Sequence, residues 1–154
     1  MTKPLAFFQA MLVAGATALF GHGVWAQANG KTAAPIEVVV KMGTYNDPLI
    51  YEPNALVFET GKTYRLVLLN EGPSPHHFVS PGFAKAINTL QVDTFDREGK
   101  LAATVYGGTD SIKLHGKTKA HWTFTPHTKS ELTDWVCSVA GHAEHGMKGT
   151  IRIE

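Results

Sequence analysis

From Ile36 to Ile153 the apolar residues come in short runs rich in β-branched and aromatic side chains, and glycine, proline or small polar residues cut each run off. In Ile36–Met42, Glu37 and Lys41 alternate with aliphatic residues, which suits a strand with one buried face. Ala55–Phe58 and Thr63–Leu69 flank Glu59-Thr60-Gly61-Lys62, the pattern of a hairpin with a glycine-bearing loop. His77–Ser80, Ile112–Leu114, Ala120–Thr125, Leu132–Cys137 and Gly149–Ile153 continue the series as short strands. This rhythm predicts an all-β fold, a β-sandwich. One stretch departs from it. Phe83–Leu90 has some helical spacing and the remainder to Gly108 is polar and glycine-bearing, so Phe83–Gly108 reads as one long connection with a short helix, and Asp96–Lys100 as a solvated turn.

A chain of 154 residues has room for one ordinary domain and short appendages. Lys3 followed by the uncharged run Leu5–Phe20 is long enough for the core of a secretory signal and short of a membrane span. The small-residue patterns Val24-Trp25-Ala26 and Ala26-Gln27-Ala28 both suit a cleavage site. The expected organisation is therefore a cleaved signal peptide over 1–26, with the cut near Ala26 or Ala28, a flexible linker over 27–35 and a folded domain over 36–154. Such a chain is expected in the periplasm or otherwise exported, with no stable membrane span once the signal is removed. Fourteen Lys and Arg against thirteen Asp and Glu leave a net charge of +1, too little to hold a nucleic-acid backbone.

The one cysteine, Cys137, rules out an intramolecular disulfide and every multi-cysteine metal site. An unpaired thiol in an oxidising compartment calls for protection, and its surroundings supply a means. The segment Cys137-Ser138-Val139-Ala140-Gly141-His142-Ala143-Glu144-His145-Gly146-Met147 places a thiolate, imidazoles and a thioether at the junction of two expected strands. Thiolate and thioether select copper over hard cations, and a blue-copper site needs two histidines with the cysteine and a weak axial methionine. The further histidine comes from Asn70-Glu71-Gly72-Pro73-Ser74-Pro75-His76-His77-Phe78-Val79, a proline-rich loop running into a strand.

On these two segments the sequence resembles the cupredoxins, the small blue-copper proteins such as plastocyanin, pseudoazurin and azurin, with the rusticyanin loop nearest. Cys137, His142 and Met147 match the Cys-x4-His-x4-Met spacing, and His76, His77, Phe78 and Val79 match the His-x-aromatic-aliphatic pattern. The resemblance implies a Greek-key sandwich holding one type 1 copper ion that passes single electrons between protein partners. It implies His76, Cys137, His142 and Met147 as the metal ligands, with His77 as the alternate to His76 and His145 as the alternate to His142. Strand neighbours point to opposite faces, so only one of His76 and His77 faces the metal. In the family the residue after this histidine is a small polar one, often Asn, that ties the two ligand loops together; here His77 stands in its place, so another hydrogen bond must make the tie.

His115, His121 and His127 lack ligand spacing and read as surface histidines; Met42, in an expected strand, is the sole rival of Met147 in the mature chain. Three functions use such a site. An electron carrier fits the complete Cys, two-His, Met set. A trafficking or storage protein would use more methionines and exposed ligand tracts. A copper enzyme needs an open coordination position, which a saturated site in a lone domain does not offer. Small residues around His142, namely Ala140, Gly141 and Ala143, suit the docking of transient redox partners on a monomer.

Overall fold

The computed structural model describes residues 33–154; the expected signal peptide and linker residues 27–32 lie outside them. Eleven strands and one short helix follow in the order β1 (Ile36–Met42), β2 (Tyr51–Glu52), β3 (Ala55–Phe58), β4 (Tyr64–Leu69), β5 (His76–Val79), α1 (Pro81–Lys85), β6 (Ile87–Phe95), β7 (Leu101–Val105), β8 (Ser111–Leu114), β9 (Lys119–Pro126), β10 (Ser130–Val136) and β11 (Lys148–Ile153). They form a six-stranded sheet ordered β2-β1-β4-β9-β6-β7 and a five-stranded sheet ordered β3-β11-β10-β5-β8. Most neighbours are non-consecutive, and β1–β4 and β11–β3 run parallel. The chain thus crosses from sheet to sheet repeatedly, in the manner of the expected Greek-key sandwich. Among the described residues no helix is long and apolar enough to cross a membrane.

Alternation places the core. In β9, Ala120, Trp122, Phe124 and Pro126 point inward, while Lys119, His121 and Thr125 line the outer face. In β5, His76 and Phe78 are the buried pair. Aromatic rings fill the space between the sheets: Phe58 meets Phe124 edge to face at 5.2 Å, Phe83 meets Trp122 at 5.5 Å and Phe78 meets Trp122 at 5.8 Å. Each fully buried large side chain contributes about 1.5–3 kcal/mol of apolar burial, and the mutual edge-to-face geometry adds about 0.5–1.5 kcal/mol per pair.

Two expectations need correction. Ala55–Phe58 and Thr63–Leu69 do not form a hairpin: β3 pairs with β11 in one sheet, and β4 pairs with β1 and β9 in the other. The turn between them is a corner, in which Gly61 takes φ +77° and donates its N–H to Pro126 O, so the turn residues fasten to other elements instead of closing a ladder. The long connection over Phe83–Gly108 is real only at its ends. The helix spans Pro81–Lys85, and β6 and β7 form an antiparallel hairpin around the Asp96–Lys100 turn. Between Thr89 and Gln91 the register of β6 against β9 shifts, so the inward set changes phase from Ile87 to Val92. A bulge of this kind erases the period-two signal, and β7, nearly all exposed, never had one. The expected solvated turn is present, with Asp96 Oδ1 accepting from the N–H groups of Glu98 and Lys100.

Candidate metal centre

One end of the sandwich gathers the ligand candidates. On β5 the strand alternation turns His76 inward and His77 outward, so of the two upstream histidines it is His76 that enters the interior. His76 is 0% exposed, and neither Nδ1 nor Nε2 has a hydrogen-bond partner among the described residues. A buried, unpaired ring nitrogen costs about 1–3 kcal/mol, and native proteins rarely tolerate one without a reason. Burial first, then the neighbouring His142, pushes His76 down to about 4, so the ring is neutral near pH 7 and its lone pair is free to bind an ion.

Cys137 follows β10 directly and is buried. Its Sγ accepts the His77 backbone N–H at 3.4 Å and lies 3.4 Å from His142 Nδ1. The ligand atoms of His76, Cys137 and His142 all lie within 4.8 Å of one another. The two imidazole centroids are 5.2 Å apart. The loop that carries His142 is pinned at its neck: Cys137 N–H donates to Met147 O and Met147 N–H donates to His142 O, both at 3.0 Å. Met147 is fully buried. Gly141 and Gly146, at φ +82° and +98°, make the turns the loop needs, as their type suggests. His145 is exposed and engages Gly141 O through Nδ1, turned away from the cluster.

The missing tie between the loops is visible. His77 Nδ1 and Ser138 Oγ share a hydrogen bond of 2.5 Å, joining the residue after His76 to the residue after Cys137. The upstream loop is held from beneath by Asn70, whose buried side chain donates to Ser74 O at 2.8 Å and His115 O at 3.1 Å and accepts from Gly72 N–H. From the far side the β1–β2 loop presses on His76: a Cβ at Gly43, φ +80°, would stand 2.4 Å from His76 Nε2. Asn70, Gly43 and Tyr51, whose hydroxyl reaches His77, are site residues that motif reasoning passed over. The turn-forming Asn70-Glu71-Gly72 was a usable signal for the first; the other two act across long sequence separations that leave no local pattern. His115 and His127 are exposed as expected, while His121 is half-covered by Phe95, with ring centroids 4.6 Å apart.

One thiol and two imidazoles in reach of one another fit a single copper ion, because a soft sulfur donor with neutral imidazole suits copper. The unsatisfied ring of His76 is the observation that tests this fit, since an ion shared with Cys137 and His142 would take the lone pair of one of its two nitrogens.

No protein-family model matches the chain. It is 25% identical to the copper-resistant cuproprotein CopI of Pseudomonas aeruginosa, over 92% of this chain and 89% of that one. It superposes on auracyanin A, a "blue" copper protein from Chloroflexus aurantiacus, with a TM-score of 0.51 and 14% identity, over 79% of this chain and 100% of that one. It superposes on the multicopper oxidase McoA of Aquifex aeolicus with a TM-score of 0.56 and 14% identity, covering 80% of this chain and 30% of that one. For the copper-containing nitrite reductase of Thermus scotoductus the TM-score is 0.55 at 16% identity, over 79% of this chain and 31% of that one. The chain thus spans about a third of those two enzymes. These likenesses establish the cupredoxin fold, and within it stands a His–Cys–His cluster of the kind a type 1 copper site uses.

Proposed function

We propose that this protein is an exported type 1 copper protein that shuttles single electrons between redox partners, with His76, Cys137 and His142 as the strong ligands and Met147 as the weak axial one. The observation that carries the reading is His76: sealed from solvent, neutral, without a hydrogen-bond partner, and within 4.8 Å of a buried thiol and a second imidazole. Bound copper supplies a one-electron Cu(II)/Cu(I) couple; the residues supply its constancy. His76 is fixed by its strand, Cys137 by the neck of the loop and the His77 N–H, and the loops by the His77–Ser138 bond, so little rearrangement is available to them when charge changes. Fixed ligands favour fast transfer. His142, half-exposed and flanked by Ala140 and Ala143, is the proposed point of entry for electrons from a transiently docked partner. We place the mature chain in the periplasm as a monomer, after removal of the leader near Ala26 or Ala28, and assign it no catalytic role of its own.

A second reading has one observation in its favour. The likeness to CopI, called copper-resistant, points to copper trafficking or storage as the task of the same site. Cyclic voltammetry of the copper-loaded protein, run beside copper transfer to a chelator of matched affinity, separates the two. Reversible cycling with retained metal over many turnovers is expected for the carrier. Rapid loss of Cu(I) to the acceptor on reduction would move the assignment to trafficking.

A further inference from the structure

Strands β5 and β10 pair at a single register, Val79 with Val136, and beyond it, towards the site, they share no further ladder pair. His77 lies in the opened stretch with both its backbone groups facing the gap, since alternate residues of a strand direct their N–H and C=O to the same side. Two side chains take up what the ladder leaves: His77 N–H donates to Cys137 Sγ at 3.4 Å, and His77 O accepts from the Tyr51 hydroxyl at 2.7 Å. Tyr51 comes from β2 at the edge of the other sheet, where it pairs with Met42. It is buried, and its ring stacks on Trp135 of β10 at 4.3 Å and 10°. Trp135 is in turn wedged against Gly149, where an added Cβ would stand 1.9 Å from its Nε1. Tyr51 is therefore a strut with a fixed ring and a hydroxyl aimed at the peptide chain beside the sulfur of Cys137.

We propose that Tyr51 is a positioning residue of the metal centre: by gripping His77 O it holds the His77 N–H on the sulfur of Cys137 and so sets the electron density that the sulfur offers to the metal. The proposal rests on the copper reading above for its redox consequence, and on the protein alone for its structural one. Hydrogen bonds to a ligating sulfur withdraw charge from it and raise the potential of the couple. A phenol ordinarily titrates near ~10, so at neutral pH the hydroxyl keeps its proton and donates to His77 O. Without it, His77 O loses its partner inside the opened seam, and the strand end is free to draw the N–H off the sulfur.

Tyr51→Phe keeps the ring and its stack on Trp135 and removes only the hydroxyl. Hydrogen exchange of the His77 amide, followed by NMR in the metal-free protein, is expected to speed up by roughly tenfold, the equivalent of one buried hydrogen bond. The copper-loaded variant is expected to show a lower potential and a displaced sulfur-to-copper charge-transfer band. Tyr64→Phe is the control, because that hydroxyl accepts from Glu59 N–H at the start of β4, the end of the strand remote from Asn70 and the site. It should leave the His77 amide and the potential alone. Unchanged exchange in Tyr51→Phe, or an equal change in both variants, would overturn the proposal. If the protein takes up no copper, wild type and variant will both lack the band, while the exchange of the His77 amide still decides for or against the role of Tyr51.

Discussion

His76 and His142 face each other across the same few ångströms, and the chain holds them in opposite ways. His76 is part of a strand register, with Leu114 opposite it on β8, the Gly43 backbone pressed on its ring and Asn70 locking the loop before it. His142 stands on a turn between β10 and β11, reaches the surface and depends on the bonds at the loop's neck. One ligand carries the geometry, and the other gives access. The difference also has a thermodynamic side: the sandwich bears the cost of an unpaired buried imidazole at His76, whereas solvent meets part of the need of His142.

Cys137 touches both halves, so its loss has the largest effect. Cys137→Ala is expected to abolish the thiolate charge-transfer band and to weaken copper binding beyond the ~10–100-fold that loss of an outer partner costs, measured by competition with a chelator. A residual band in that variant would mean that the sulfur is not a ligand.

Acidity discriminates the halves next. Folded His76 is held near 4 against 6.5 for the free side chain, so between these values the unfolded chain binds a proton that the folded metal-free protein does not. Stability is then fully present above about pH 6.5 and is lost as pH falls towards 4, by about 3 kcal/mol for this group. Urea midpoints of metal-free protein across that range check the slope. The same titration on His76→Leu should lose it.

Neutral-pH stability sharpens the contrast further. Replacing His76 by Leu removes two unpaired nitrogens from the interior, so metal-free His76→Leu is expected to be more stable than the wild type by ~1–2 kcal/mol while failing to bind copper. His142→Ala should alter stability by less than about 0.5 kcal/mol, and its copper spectrum should recover when free imidazole is added, because the vacated position opens on solvent. Recovery of His76→Ala by imidazole and not of His142→Ala would reverse the assignment of the two halves.

Much of this division could be read from the residues. The spacing of Cys137, His142 and Met147 named the loop half, and β-strand alternation singled out one of His76 and His77 without saying which. What resisted reading lies in contacts between distant segments. β2 is two residues long, too short to leave a pattern, yet it delivers Tyr51. The β6 bulge hid a hairpin inside an apparent connection, and the Glu59–Lys62 turn has hairpin chemistry but joins two sheets, since a turn's sequence states its own shape and not which strands its flanks will pair with. The replacement of the family's usual Asn by His77 was plain; that Ser138 would be its partner needed the structure.

The smallest effects belong to the rim. Ser138→Ala removes the loop tie, and a cost under about 1 kcal/mol with a modest rise in copper off-rate is expected, as for one partly exposed hydrogen bond. His145→Ala should leave both spectrum and stability unchanged; an altered spectrum would make His145 a ligand and the loop differently folded when loaded.

The central claim is that strand-borne His76 and loop-borne His142 close on Cys137 around one copper ion. Absorption and electron paramagnetic resonance spectra of the mature protein with one equivalent of Cu(II), taken beside His76→Ala and His77→Ala, test it most directly. An intense blue band with narrow copper hyperfine splitting, lost in His76→Ala and kept in His77→Ala, is the expected result. A pale spectrum with wide splitting, or one abolished by His77→Ala and spared by His76→Ala, would contradict it.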